Sequence, residues 1–109
     1  MPNKVMRLKK GANLPAFTAQ LMRGANPVNL EQAQQIQLVW RPVNDSVEAS
    51  SAAMTITDAA QGKVEKVWSA NELNVNSFKA EIKVQWNDGK IERFPSDGYI
   101  YFDVIPTVD

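Results

Sequence analysis

The sequence contains no cysteine and no histidine. The first absence removes disulfides and thiolate metal sites and leaves the redox compartment undefined. The second removes Ser-His and Cys-His nucleophile systems, most zinc sites and the usual proton shuttle near neutral pH. Any catalysis would have to rest on carboxylates, Lys or Tyr. Excess charge is also lacking: Lys plus Arg and Asp plus Glu both number 12, so no global field draws the chain to nucleic acid or an anionic membrane. The first thirty residues lean basic, through Lys4, Arg7, Lys9, Lys10 and Arg23 with no acid before Glu31, which reads as a solvated face. No apolar run reaches the length of a signal peptide core or a membrane span, so the expectation is a soluble chain not exported by a cleaved signal. A net charge of zero gives little repulsion between copies and suits self-association.

What is present is period-two patterning. At 109 residues the chain is expected to be one domain with one core, residues 1–13 and 105–109 being extended termini. From Phe78 to Trp86 the residues Phe78, Ala80, Ile82, Val84 and Trp86 alternate with Lys79, Glu81, Lys83 and Gln85, as in a strand with one buried and one wet face. Runs of this kind occupy 5–9, 17–22, 35–41, 53–57, 63–68, 78–86, 90–94 and 99–105. About seven to eight short strands separated by turn residues predict an all-β, immunoglobulin-like antiparallel β-sandwich. Its expected core comprises Phe17, Leu21, Ile36, Leu38, Trp40, Ile82, Val84, Trp86 and Phe102. Residues 29–35 have helix-forming composition but are too few to bury a stripe, so a turn is expected there, and 69–78 has room for one helical turn. Residues 41–53 read as a mobile loop.

Turn chemistry accounts for the most conspicuous acids. Asp88 and Gly89 join two alternating runs as a hairpin, since Asp-Gly supplies the positive φ that tight turns need. Pro95 lacks a backbone donor and ends one ladder before a second turn at Asp97 and Gly98. Residues 58–63 form a longer hairpin loop, and 24–29 a turn that starts a new strand. Asp88, Asp97 and Asp103 with Glu92 make the best carboxylate set for calcium or for glycosidase-like acid–base work. Calcium needs six to eight oxygen ligands and a glycosidase needs two carboxyls in a cleft. Neither an EF-hand spacing nor a nucleophile–base constellation is present, so no catalytic residue, metal or cofactor is expected.

The order of these features resembles a known family. Pro15, "NPVNL" at 26–30, "TDAAQGKV" at 57–64 and "WNDGKIERFPSDGYIYFDV" at 86–104 are similar to the immunoglobulin-like N-terminal domain of phage baseplate upper proteins and to related small tailed-phage virion modules. The likeness runs from about Leu14 to Val104, and its last element is the most specific. Departures are Asn29 where Asp is usual, Glu31-Gln32 in place of Thr-Gly, and no acid before Gly24. The larger baseplate proteins continue into helical, host-contacting regions, and what those regions do is not carried over.

The resemblance implies a non-enzymatic structural component of the virion, assembled in the host cytoplasm. It would act in the baseplate or tail through contacts with other virion proteins, as a homo-oligomer or in a symmetric assembly, with capsid decoration or head–tail joining as the alternative. Candidate partner contacts are Tyr99 and Tyr101, which share a face opposite Ile100, Phe102 and Val104, together with Trp68, Met6 and Leu8. The strand at 63–68 places Val64, Lys66 and Trp68 on one face and reads as an edge strand or one with two half-buried faces. The competing class is a carbohydrate-binding module for host adhesion, which requires a coplanar exposed pair among Trp68, Tyr99 and Tyr101.

Overall fold

The alternation at 78–86 produces the strand around which the molecule is organised. In a computed structural model, which describes residues 4–12, 14, 16–43, 48–69, 72, 77–95 and 98–108, eleven strands form and no helix is present among those residues. In chain order they are β1 (Lys4–Lys9), β2 (Phe17–Gln20), β3 (Met22–Arg23), β4 (Asn26–Pro27), β5 (Ala33–Pro42), β6 (Ser50–Ala53), β7 (Thr55–Asp58), β8 (Lys63–Lys66), β9 (Phe78–Trp86), β10 (Ile91–Phe94) and β11 (Ile100–Ile105). The protein is therefore all-β, with mostly antiparallel pairing. One sheet has six strands in the order β1-β11-β9-β5-β6, with β10 beside β9, and a second has the order β2-β8-β7.

Register explains why β9 sits at the centre. Val84 lies opposite Ile36 and Ile82 opposite Leu38, so four aliphatic side chains of β9 and β5 stack on one face. Slipping β9 by one residue would turn its part of this set to water and drive Lys79, Glu81 and Lys83 into the core. The other side of β9 is shared: Phe94 of β10 lies opposite Ile82, and Ile100 of β11 lies opposite Ala80. Between these two strands the Phe94–Pro95 bond is cis, and a proline contributes no donor to a ladder.

The second sheet supplies Phe17 and Val64 to the same apolar core. At its centre Phe102 meets Phe17 edge-on at 5.1 Å, Trp68 edge-on at 5.6 Å and Phe78 in a stack at 4.8 Å. Such contacts are worth about 0.5–1.5 kcal/mol each beyond the area they bury. The expected core residues Phe17, Leu21, Ile36, Leu38, Ile82, Val84 and Phe102 are buried, while Trp40 and Trp86 pack at its margin.

Three expectations are corrected. Pairing is not wholly antiparallel, because β1 runs parallel to β11, matching Met6 with Phe102 and Leu8 with Val104. No short turn links two strands so distant in sequence, and nothing therefore forces them to run in opposite directions. The stretch 41–53 is not one loop: Arg41 and Pro42 extend β5, and 50–53 pairs with it as β6, while 44–47 lie outside the described residues. Finally, 63–66 is the middle strand of its sheet rather than an edge.

Two predicted runs are also divided, and the cause is burial. The Leu21 N–H donates to the Gly62 carbonyl and the Leu21 carbonyl accepts from Val28, which takes buried Leu21 out of the β2 ladder. Gly62 has φ +68, and a Cβ there would meet the Leu21 and Val28 carbonyl oxygens at 2.7 Å, so the turn at this crossing needs glycine. Buried Met54 donates its N–H to the Ile36 carbonyl, after which Thr55 pairs with Glu65 in the other sheet. The path 50–58 thus passes from one sheet to the other. The turn expected at 29–35 is shorter than that: Asn29 Oδ1 accepts the Glu31 N–H at 2.9 Å, and Ala33 to Gln35 already belong to β5. The helical turn expected within 69–78 falls largely on residues outside those described.

Candidate interaction surface

Alternation in the six-stranded sheet leaves a second face turned away from the core. Across it, register aligns Val5, Tyr101, Lys79 and Arg41 on four neighbouring strands. Glu81 opposite Val39 and Lys83 opposite Gln37 follow along β9, and Arg93 of β10 stands opposite Lys83. Tyr99 is 38% exposed and Val5 58%. The Tyr99 and Tyr101 rings meet edge-on, 6.3 Å apart at 74°, and Lys79 Nζ lies 4.9 Å over the Tyr99 ring. A concavity of about 560 Å³ opens here, lined by Val39, Arg41, Lys79, Glu81, Arg93 and Tyr99 among others. Ion pairs on this face join Arg93 to Glu81 at 3.6 Å and Arg7 to Asp103 at 3.8 Å.

The five candidate contact residues separate into two groups. Tyr99 and Tyr101 are on the outer face. Trp68 is 2% exposed and packs against Phe78 and Phe102, so it is no surface contact. Leu8 is buried, and Met6 is half-buried and packed on the core. Their register with Val104 and Phe102 turns them inward, and Val5 and Arg7 take the outward positions instead.

Each described acid of the carboxylate set is committed to its own neighbourhood. Asp88 accepts the Lys90 N–H at 3.0 Å, fixing the hairpin whose Gly89 has φ 89. Asp103 accepts from the Ser77 hydroxyl at 3.1 Å, and that hydroxyl oxygen accepts the Val104 N–H. Glu92 accepts from Arg23 Nε at 2.9 Å and from Trp86 Nε1 at 3.2 Å, with the Arg23 guanidinium 5.8 Å from the Trp86 ring centre. The Arg23 hydrogen bond is the main reason that the Glu92 carboxyl lies below its ordinary value. This fork ties the β3–β4 hairpin to the β9–β10 hairpin. Asp97 lies outside the described residues, while Gly98 has φ 83. Among the described residues no three His, Cys, Asp or Glu side chains gather as a metal site, and no helix is long and apolar enough to cross a membrane.

Sequence reasoning missed two electrostatic features. Lys66 is 5% exposed because the parity of Val64 and Trp68 carries it inward; its ammonium donates to Glu72 and to the Val67 carbonyl, both at 2.9 Å, and lies 5.4 Å from the Trp68 ring centre. Burial raises the Glu72 carboxyl more than any single opposing effect lowers it. Hydrogen bonds from Lys66 and Ser69, together with the ammonium charge, still hold it below its ordinary value. Among the described residues the adjacent Trp68 indole N–H has no hydrogen-bond partner. The second feature is the cation-rich outer face. Lys83 opposite Arg93 follows from symmetry about the 87–89 turn and was readable, whereas Arg41 opposite Lys79 depends on a long-range register.

No protein-family model and no curated protein matches the chain.

Proposed function

We propose that the chain is a non-enzymatic structural module of a tailed-phage virion, assembled in the host cytoplasm and working in the baseplate or tail through protein–protein contacts. The observation that carries this reading is the outer face of the six-stranded sheet, where Tyr99, Tyr101, Val5 and Val39 lie among charged side chains on a rigid support. Aromatic side chains set in a polar surround are the usual composition of a protein contact. Asp88 serves a turn and Glu92 a cross-link between hairpins, which favours scaffold over catalyst.

An immunoglobulin-like sandwich is the fold this reading uses, and the strand orders support it. β11-β9-β5-β6 corresponds to the G-F-C-C′ order of such domains and β2-β8-β7 to B-E-D, with β10 and β11 as one last strand broken at Pro95. Trp40 on β5 stands where these domains carry a tryptophan, although the disulfide beside it in antibody domains has no counterpart in a chain without cysteine.

Ring geometry favours protein over glycan as the partner. Tyr99 and Tyr101 cross at 74° instead of forming a flat platform, Lys79 covers one Tyr99 face, and Trp68 is buried. Light scattering after size-exclusion chromatography, with immunoblotting of purified particles, tests the reading. A defined oligomer or a particle-bound chain is expected. A strict monomer that binds glycan and is missing from particles would overturn it.

A further inference from the structure

We propose that the free edge of β6 pairs antiparallel with the same edge of a second copy of this chain, across a two-fold axis at Ala52, joining two six-stranded sheets into one. This goes beyond the assembly reading above, because it concerns the isolated chain and names the partner.

The first observation is an edge without protection. β6 ends the six-stranded sheet, and among the described residues no strand pairs with its far side. Soluble proteins usually blunt such an edge with charge, proline or a bulge, because its unpaired backbone groups invite another strand. Ser50, Ser51, Ala52 and Ala53 supply no charge and no proline, and their register with β5 is regular. Other border strands are guarded: β1 carries Lys4, Arg7 and Lys9, β7 has a register shift after Ile56, and Pro15 stands two residues before β2.

The second observation is the direction of the backbone groups. The Met54 N–H donates to the Ile36 carbonyl, and bonding residues alternate along an antiparallel ladder. Ala52 and Ser50, in register with Leu38 and Trp40, therefore bond to β5, and Ser51 and Ala53 turn their N–H and C=O groups outward. A second copy running the opposite way can set its Ala53 against Ser51 and its Ser51 against Ala53, each pair exchanging both hydrogen bonds. Ala52 then meets Ala52 of the second copy on the axis, where Cα atoms approach to about 4.5 Å and a small side chain fits. Such an interface must be complementary to itself, which a charged edge cannot be, since it would meet its own charge. The chain carries no net charge to oppose the approach. A foreign strand is selected through its alternate side chains, and Ser51 and Ala53 are too small and neutral to select one. The pairing also keeps both outer faces on one side, so each dimer displays the Tyr99 and Tyr101 surface twice.

The test uses the whole chain. Its light-scattering mass should rise from one chain toward two as concentration increases from about 10 μM to about 1 mM, the range of a small interface. Ser51→Lys with Ala53→Lys sets lysine against lysine across the axis and should weaken the dimer by about tenfold or more, with the melting temperature of the single chain little changed. Ser51→Lys with Ala53→Glu sets lysine against glutamate in the same register and should keep the dimer or strengthen it. Because the sequence has no cysteine, Ala52→Cys introduces a lone thiol, and its place on the axis lies within disulfide reach. Oxidation should link it into a covalent dimer, whereas Val5→Cys, exposed on the opposite border strand, should stay single. The crosslink remains readable if the lysine variants fail to fold. A single-chain mass at 1 mM, a dimer equally tight in the Lys/Lys variant, or crosslinking as fast at Val5→Cys as at Ala52→Cys would overturn the proposal. A monomeric chain found in particles overturns this pairing and leaves the assembly reading intact, while absence from particles bears on that reading alone.

Discussion

The two faces of the six-stranded sheet are made by the same strands, yet they follow different physical logic. The inner face of β9 carries Phe78, Ala80, Ile82 and Val84, each matched in register to an apolar or aromatic neighbour and buried. The outer face of the same residues' neighbours carries Lys79, Glu81 and Lys83, and its register places like charges opposite each other twice. The contrast separates what holds the fold from what the fold displays.

The contrast can be broken most strongly from the inside. Phe102 is 1% exposed and touches Phe17, Trp68 and Phe78, so Phe102→Ala should destabilise the protein by about 3–5 kcal/mol in urea unfolding. A loss under about 1 kcal/mol would mean that the core collapses around the gap and is less specifically packed than described. Next is Glu72→Ala, which leaves the buried Lys66 ammonium without its carboxylate and should cost about 3 kcal/mol. Replacing Lys66 by Met in the same chain should restore most of that loss, since an apolar side chain suits the site.

A smaller effect comes from the Arg23–Glu92 fork at the rim between the two faces. The Glu92 carboxyl is depressed, so its contribution is present above the unfolded value and is lost as pH falls through the folded value. Both Glu92 and Glu72 shift downward from 4.5, which puts the loss in the range below that pH. Urea midpoints should fall as pH is lowered from about 5 toward 3, and Glu92→Gln with Glu72→Gln should flatten that slope. A slope unchanged in the double variant would assign the acid sensitivity to other carboxylates.

The sequence disclosed the inner face better than the outer one. Each of the eight predicted runs overlaps a strand, although 53–57 straddles the crossing from β6 to β7 and β6 lies in the stretch expected to be a loop; the 87–89 turn fixed the β9–β10 register, because that signal is local. Leu8 and Met6 were misassigned because their direction depends on pairing with β11, almost the whole chain away. Trp68 was misassigned for a related reason: its parity with Val64 was visible, but only the position of β8 between β2 and β7 makes that face a core face. Lys66 followed it inward, and its partner Glu72 lies on a connection without strand periodicity. On the outer face Tyr99 and Tyr101 were legible from alternation alone. The pairing of Arg41 with Lys79 required the β5–β9 register, and so did the shape of the concavity beside it.

The central claim is that the outer face is what this module offers to its partner. The direct measurement is the amount of the Tyr99→Glu, Tyr101→Glu double variant in particles purified from infected cells complemented with it, alongside its melting temperature as an isolated protein. Loss from particles with a melting temperature near that of the wild type is the expected result, since neither ring belongs to the buried core. Incorporation at the wild-type level by an equally stable variant would contradict the account.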